Sequence, residues 1–446
     1  MRETLVKTED FKDSPLGEIP QDWDVKALGD CAFITKLAGF EYTNYFDYSQ
    51  PGEIIAIRVL NIRNGTLDLT DVQSIPRKIS KHLSRSVLGK GDLVISYVGT
   101  IGEVALIEEN DRFHLAPNVA KISPNSEIIS SRFLFAQLLS QAAQKRLLDL
   151  STLTSQPALS MSRLRQLTIA LPPVPEQRRI VEILETVDET IAHTSSLIAK
   201  LKQMKAGLLH DLLTRGLDEN RELRDAIAHP EQFQNSPLGQ IPKDWEVRTM
   251  EEITTKIVDG VHKTPLYVES GIPFLTVENL TAGIGISLKN VRYVSPSAHA
   301  EFLKRADPRP GDVLVSKDGT LGIARIVTDN LPEFSIFVSV AQLRPNEALV
   351  LPSFICTFFE TGEYERQLGY RSAGTGLKHI HLEHFRAFQL AVPPIAEQHR
   401  ISKVLKSHDT RIRAEEAYRD KLKLQKQGLM HDLLTGKVRV NYLGDK

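Results

Sequence analysis

The chain has only two cysteines, Cys31 and Cys356, and two tryptophans in 446 residues. The cysteines fall in non-corresponding places of its two halves, which excludes a disulfide framework and a thiolate zinc site. It has no run of about 18 apolar residues, the length a membrane-crossing helix needs. Its start, Met1-Arg-Glu-Thr-Leu-Val-Lys-Thr-Glu-Asp10, lacks the apolar stretch of a secretory signal, and a cytoplasmic protein is expected. Charge of one sign is also lacking, since 55 Lys and Arg against 56 Asp and Glu leave a net −1. Proteins that hold nucleic acid tightly on their own usually carry a basic surplus, so a role on DNA would need a local basic patch or help from partners. Catalytic signatures are missing: there is no P-loop, no Asn/Asp-Pro-Pro-aromatic methylation motif, no His-Glu-x-x-His and no nucleophile elbow. The sequence offers neither an active site nor a metal site. What remains is an ordinary globular composition, 41% hydrophobic and 25% charged, in a chain too long for one core.

The sequence is built from a duplication. Leu171-Pro-Pro-Val-Pro-Glu-Gln-Arg-Arg-Ile180 leads into an apolar-periodic segment ending Gly207-Leu-Leu-His-Asp-Leu-Leu-Thr214. Val392-Pro-Pro-Ile-Ala-Glu-Gln-His-Arg-Ile401 does the same, ending Gly428-Leu-Met-His-Asp-Leu-Leu-Thr435, at the same 221-residue offset. Pro-Pro bars helix upstream, Pro175 or Ala396 suits the first helical position, and an acidic residue complements the N-terminal dipole. Ile180, Leu184, Val187, Ile191, Ile198, Leu201, Leu208 and Leu212 recur at steps of three, four and seven, a narrow seam on a helix of roughly 60 Å. The second copy, Ile401, Leu405, His408, Ile412, Arg419, Leu422, Leu429 and Leu433, is interrupted by polar residues and is the weaker half. Neither stripe can be buried alone, so each predicts the other as its partner. His210 and His431 match near the ends of the two helices, where a cation complements the dipole.

A second motif recurs ahead of each helix. Asp13-Ser-Pro-Leu-Gly-Glu-Ile-Pro-Gln-Asp-Trp-Asp-Val25 returns as Asn235-Ser-Pro-Leu-Gly-Gln-Ile-Pro-Lys-Asp-Trp-Glu-Val247. Trp23 and Trp245 read either as packing anchors or as base-stacking platforms. Beyond them the halves diverge but keep a rhythm of short β-rich runs and turns. In the first half these are residues 54–60, the Arg63-Asn-Gly65 turn and residues 91–102; in the second they are 272–277, 311–322 and 334–340. A helix follows near 131–148 and again near 352–368. The Gly-Thr-Ile-Gly run at 99–102 lacks the Gly-Lys-Ser/Thr ending of a phosphate loop and reads as a β-turn.

This order, a globule, a Pro-Pro-x-x-Glu-Gln helix ending His-Asp-Leu-Leu-Thr, then Ser-Pro-Leu-Gly-x-Ile-Pro-x-Asp-Trp opening a second unit, resembles the specificity subunit of a type I restriction-modification system over essentially the whole chain. The resemblance implies an α+β fold: two pseudo-symmetric α+β target recognition domains separated by two long antiparallel helices forming a coiled-coil-like spacer. The expected divisions are 1–170, 171–216 (first helix), 217–234 (connector), 235–391 and 392–446 (second helix and tail). It further implies a non-catalytic reader of an asymmetric bipartite DNA target. Its partners would be double-stranded DNA, two methyltransferase subunits and restriction/translocase subunits, with S-adenosylmethionine, ATP and Mg on those partners and no cofactor on this chain.

Loop residues able to reach base edges or phosphates are the candidate DNA contacts. They are Lys36, Tyr42, Tyr45, Asn61, Arg63, Tyr97 and Thr100 in the first globule. In the second they are His262, Lys263 and Thr264, following Val261, with Asn279, Lys317, Asp318 and Thr320. Each could equally be an ordinary solvated loop residue. Tyr97 and Lys317 occupy neighbouring slots of matched Gly-Asp-hydrophobic-Ser segments, as two readers of different sequences would. A coiled-coil scaffold with two protein-binding globules explains the helices but not the divergence of the globules. A stand-alone transcription regulator would need a helix-turn-helix and a basic surplus, and neither is present.

Overall fold

The computed structural model describes residues 5–8, 10–49, 52–152, 157–372 and 379–440, so both extremes of the expected divisions lie outside the described residues. Two long helices form where the prolines release the chain, Val174–Thr214 and Ile395–Leu434. Each starts one residue ahead of the predicted first position and places Glu176 or Glu397 in its first turn. The chain divides into two compact units, residues 1–195 with 417–446 and residues 196–416. These units cut through the expected divisions because every unit takes the start of one long helix and the end of the other.

Inside each unit the two helix segments run antiparallel. In the first, Ile180, Val181 and Leu184 share a core with Leu433 and Leu434, and Asp188 meets Lys426 at 2.6 Å. In the second, Leu209 and Leu212 share a core with Ile401 and Leu405, while Lys202 pairs with Glu416 and Lys205 with Asp409, each at 2.7 Å. Such exposed pairs contribute at most about 1 kcal/mol each, whereas each fully buried Leu or Ile contributes about 1.5–3 kcal/mol. The apolar seam therefore holds the pairing and the charges fix its direction. Of the seam residues, Ile180, Leu184, Ile198, Leu212, Ile401, Leu405, Ile412, Leu422 and Leu433 are buried. Val187, Ile191, Leu201, Leu208 and Leu429 are half-buried. Among the described residues, no helix is long and apolar enough to cross a membrane.

The two globules share one topology despite their divergence. Each has a four-stranded antiparallel sheet in which Leu93–Ser96 or Val313–Ser316 is flanked by its hairpin partner (Val104–Leu106 or Ala324–Ile326) and by Val119–Pro124 or Val340–Pro345. The edge strand is Ala32–Lys36 or Thr254–Asp259. A smaller mixed sheet, centred on Ile54–Ile57 or on Ile272–Leu275, closes each fold. The central strands are buried on both faces, which is why their sequences are continuous apolar runs up to the closing serine. Asn64 and Gly65 both adopt positive φ, 51° and 82°, in the tight hairpin their dipeptide predicts. Gly99 and Gly102 likewise adopt positive φ in a hairpin loop that does not open a helix, but the loop is longer than the expected β-turn, the Gly102 amide donating back to the Ser96 carbonyl.

Several expectations change in detail. The helix expected at 131–148 is two, Ser131–Leu139 and Gln141–Asp149, because the Ser140 hydroxyl caps the second by accepting from the Ala143 amide. Its counterpart at 352–368 also breaks, into Pro352–Phe358 and Gly362–Ser372, where the Thr361 hydroxyl accepts from the Tyr364 amide. The strand expected at 54–60 stops at Ile57, since the Asn61 side chain draws the chain into a 3-10 turn. His431 lies in the last turn of its helix, whereas His210 sits one residue ahead of the last turn of the other.

Candidate nucleic-acid interface

The Glu-Gln motif fixes each globule to its helix. Gln177 accepts from the Ser130 amide at 2.9 Å and donates to the carbonyls of Ile128 and Pro172. Gln398 repeats this with the Leu351 amide and the carbonyls of Leu349 and Pro393. Beside them Glu176 and Glu397, fully buried, accept the indole N–H of Trp23 and Trp245, each at 3.1 Å. Both tryptophans are buried, so they are packing anchors and the stacking alternative is excluded. An arginine completes each clamp. Arg439 bridges Glu176 and Asp22 in the first unit, and Arg224 bridges Glu397 and Asp244 in the second. The hydrogen bond from Arg439 holds the Asp22 carboxyl below its usual range. The connector is thus more than a link, since it supplies Arg224, and just ahead of it Gly216 (φ 67°) brings the backbone so close that a Cβ would lie 2.1 Å from Glu397 Oε1.

On the frame so fixed, the first globule gathers part of its predicted set. Tyr42, Arg63 and Thr100 line one open cleft of about 710 Å³ together with Tyr48, Arg58, Glu103 and Asn118. Tyr42 and Tyr45 project from the helix Gly39–Tyr45 and are exposed, as is Phe40, an aromatic the sequence reading passed over. The Lys36 ammonium lies 5.2 Å from the centre of the Tyr97 ring. Tyr97 is itself mostly buried, and burial pushes its phenol up. Asn61 is not a surface group: its side chain accepts from the Arg58 amide and donates to the carbonyls of Asp68 and Asp71.

The second globule shows the same division. His262, Lys263, Thr264 and Thr320 are exposed, and Asp318 is half-buried against His379. Asn279 repeats Asn61, accepting from the Thr276 amide and donating to the Ser287 carbonyl. Both asparagines shape loops and leave no amide edge for a base. Lys317 is 2% exposed and meets the equally buried Asp259 at 2.8 Å. Asp259 also receives Arg305 and faces His262. Burial would raise its carboxyl, but the hydrogen bonds from Lys317 and Arg305 outweigh that and hold it low. Arg305 and Asp259 were not among the predicted residues, because Arg305 follows the helix Pro296–Phe302 far from Asp259 in sequence. Among the described residues no cluster of His, Cys, Asp and Glu could hold a metal ion.

The globules therefore pair a repeated internal clamp with a divergent outer face. The family model described as the type I restriction modification DNA specificity domain matches twice, over residues 20–203 and 242–424. The type I restriction enzyme MjaVIII specificity subunit of Methanocaldococcus jannaschii is 23% identical over 445 residues, 98% of each chain. A solved chain described under complex assembly and conformational transition of the type I R-M system superposes with a TM-score of 0.60 at 20% identity, covering 94% of this chain and 99% of that one. The type I restriction-modification S subunit from M. genitalium gives a TM-score of 0.52 at 16% identity, covering 97% and 99%. The chain belongs to the type I restriction-modification DNA specificity family, as a specificity subunit with two target recognition domains.

Proposed function

We propose that the two target recognition domains read the two unlike halves of one asymmetric, split DNA target, with the antiparallel helices as the spacer between them. The observation that carries this reading is divergence within a shared frame. The clamp at Trp23/Glu176/Gln177 is repeated at Trp245/Glu397/Gln398, while the loops at Lys36 and Tyr97 differ in chemistry from those at Asp259 and Lys317. Pseudo-symmetric readers on a duplex address half-sites whose separation follows the distance between them. Specificity subunits of this family are generally non-catalytic. In this reading two methyltransferase subunits dock on the chain and bring S-adenosylmethionine, restriction subunits bring ATP and Mg chemistry, and the complex methylates adenine or cuts. The chain itself supplies discrimination.

A net charge of −1 fits that division of labour, because partners that clasp the duplex would supply most of the phosphate contacts. The isolated chain should bind target DNA weakly, with affinity that falls steeply with salt, and should bind tightly once methyltransferase subunits are added. Equal affinity with and without them in fluorescence anisotropy titrations would reject the docking reading. The spacer is tested separately. Four residues inserted after Ala199, matched by four beside Glu416 on the facing segment, add about one turn, ~6 Å, to each helix. The preferred gap between half-sites should then grow by about one or two base pairs in a methylation assay. An unchanged gap would remove the helices from that role.

A further inference from the structure

The sheet registers place unlike residues of the two target recognition domains in one slot. Lys36 faces Ala120, which faces Ile95, and Asp259 faces Ala341, which faces Val315. One residue past the matched Ser96 and Ser316 come Tyr97 and Lys317. The slot thus holds a Lys–Tyr pair in the first domain and an Asp–Lys pair in the second, with opposite consequences at the surface. In the first, the exposed Lys36 ammonium stands on the Tyr97 ring, and no carboxylate among the described residues pairs with it. In the second, Lys317 turns inward and its charge is cancelled by Asp259, so the slot itself presents no free cation.

Asp259 instead holds one from elsewhere. Its Oδ1 accepts from Arg305 Nη2, while Arg305 Nε donates to the Gly260 carbonyl at 2.9 Å and to the Asp259 carbonyl at 3.2 Å. His262 Nε2 lies 2.8 Å from Arg305 Nη2. These contacts fix the guanidinium plane and, among the described residues, leave Nη1 without a partner on a side chain that is 45% exposed. A guanidinium fixed in this way presents the Nη1 donors in a set direction, whereas a lysine ammonium on an aromatic face is a movable point charge.

We propose that a cation at this slot or held against it reads a base in each domain: Lys36 itself in the first and Arg305, positioned by Asp259, in the second, each addressing an acceptor atom on a base edge such as guanine O6 or N7. The inference rests on the chain's reading as a DNA specificity subunit. Because Arg305 is held by the residue that shares the Lys36 register, each cation should govern one base pair of its own half-site.

The test assembles the chain with its methyltransferase partner and maps methylated sites for wild type, Lys36→Gln, Arg305→Gln, Arg305→Lys and Asp259→Asn. Lys36→Gln should relax one base pair of one half-site by roughly ten- to a hundred-fold, and Arg305→Gln one base pair of the other. Arg305→Lys should not restore the preference, since a lysine cannot keep the contacts to Asp259 and the Gly260 carbonyl that aim the donor. Asp259→Asn should relax the same base pair as Arg305→Gln, more mildly, which separates positioning from a merely structural role. If Asp259→Asn does not fold, the exposed sites Lys36 and Arg305 still decide. Unchanged half-sites, or a uniform loss at all positions as a phosphate contact would give, overturns the proposal. A wild-type complex whose methylated sites do not depend on this chain would instead remove the underlying reading.

Discussion

Replacing Glu397 by alanine is expected to destabilise the second unit by about 3–5 kcal/mol, the cost of removing one partner from a buried ion pair. The carboxylate is 1% exposed and accepts from the Leu217 amide at 2.7 Å, the Trp245 indole at 3.1 Å and both Nη atoms of Arg224. Its loss strands a guanidinium that is only 11% exposed, with the partly exposed Asp244 as its remaining carboxylate. Glu176→Ala should act in the same direction in the first unit, tempered because Arg439 keeps two hydrogen bonds to Asp22. Arg248→Ala, which breaks an exposed pair with Glu246, should change stability by less than about 1 kcal/mol. Urea unfolding followed by Trp245 fluorescence in a Trp23→Phe background reports the second unit alone. A loss below about 1 kcal/mol for Glu397→Ala would show that the clamp does not hold the globule to its helix.

What could be read from the sequence is what the duplication repeats. Pro-Pro at the start and the repeated His-Asp-Leu-Leu-Thr end located both long helices to within a residue. Their pairing followed from two stripes that could not be buried alone, and its antiparallel sense from the family resemblance. The role of the Glu-Gln motif did not follow, because its partners Ser130, Trp23 and Arg439 are distant along the chain and only the fold brings them together. The candidate site was partly legible for the same reason. Residue type picked Tyr42, Arg63 and Thr100, which the fold brings to one cleft, yet type alone cannot distinguish a surface asparagine from Asn61 or Asn279, whose amides satisfy their own loops. Lys317 misled because a lysine is rarely buried unless paired, and its partner Asp259 lies 58 residues upstream. Arg305 was missed because nothing local marks it.

The proposed function has each globule specify its own half of the target independently of the other. The strand pairs Asp24–Ala27 with Thr168–Leu171 and Glu246–Thr249 with Gln389–Val392 bracket the two globules in the same way. Trp245, Glu397 and Gln398 lie outside that bracket, so a globule exchanged there keeps the clamp of its host. Replacing residues 246–392 by a copy of residues 24–171 therefore places two identical readers on an unchanged helix pair. Mapping the methylated sites of the resulting complex is the most direct measurement. The account predicts a symmetric target, with the first globule's half-site repeated in inverted orientation across an unchanged gap and the second globule's half-site gone. Methylation that stays at the original asymmetric target would contradict it.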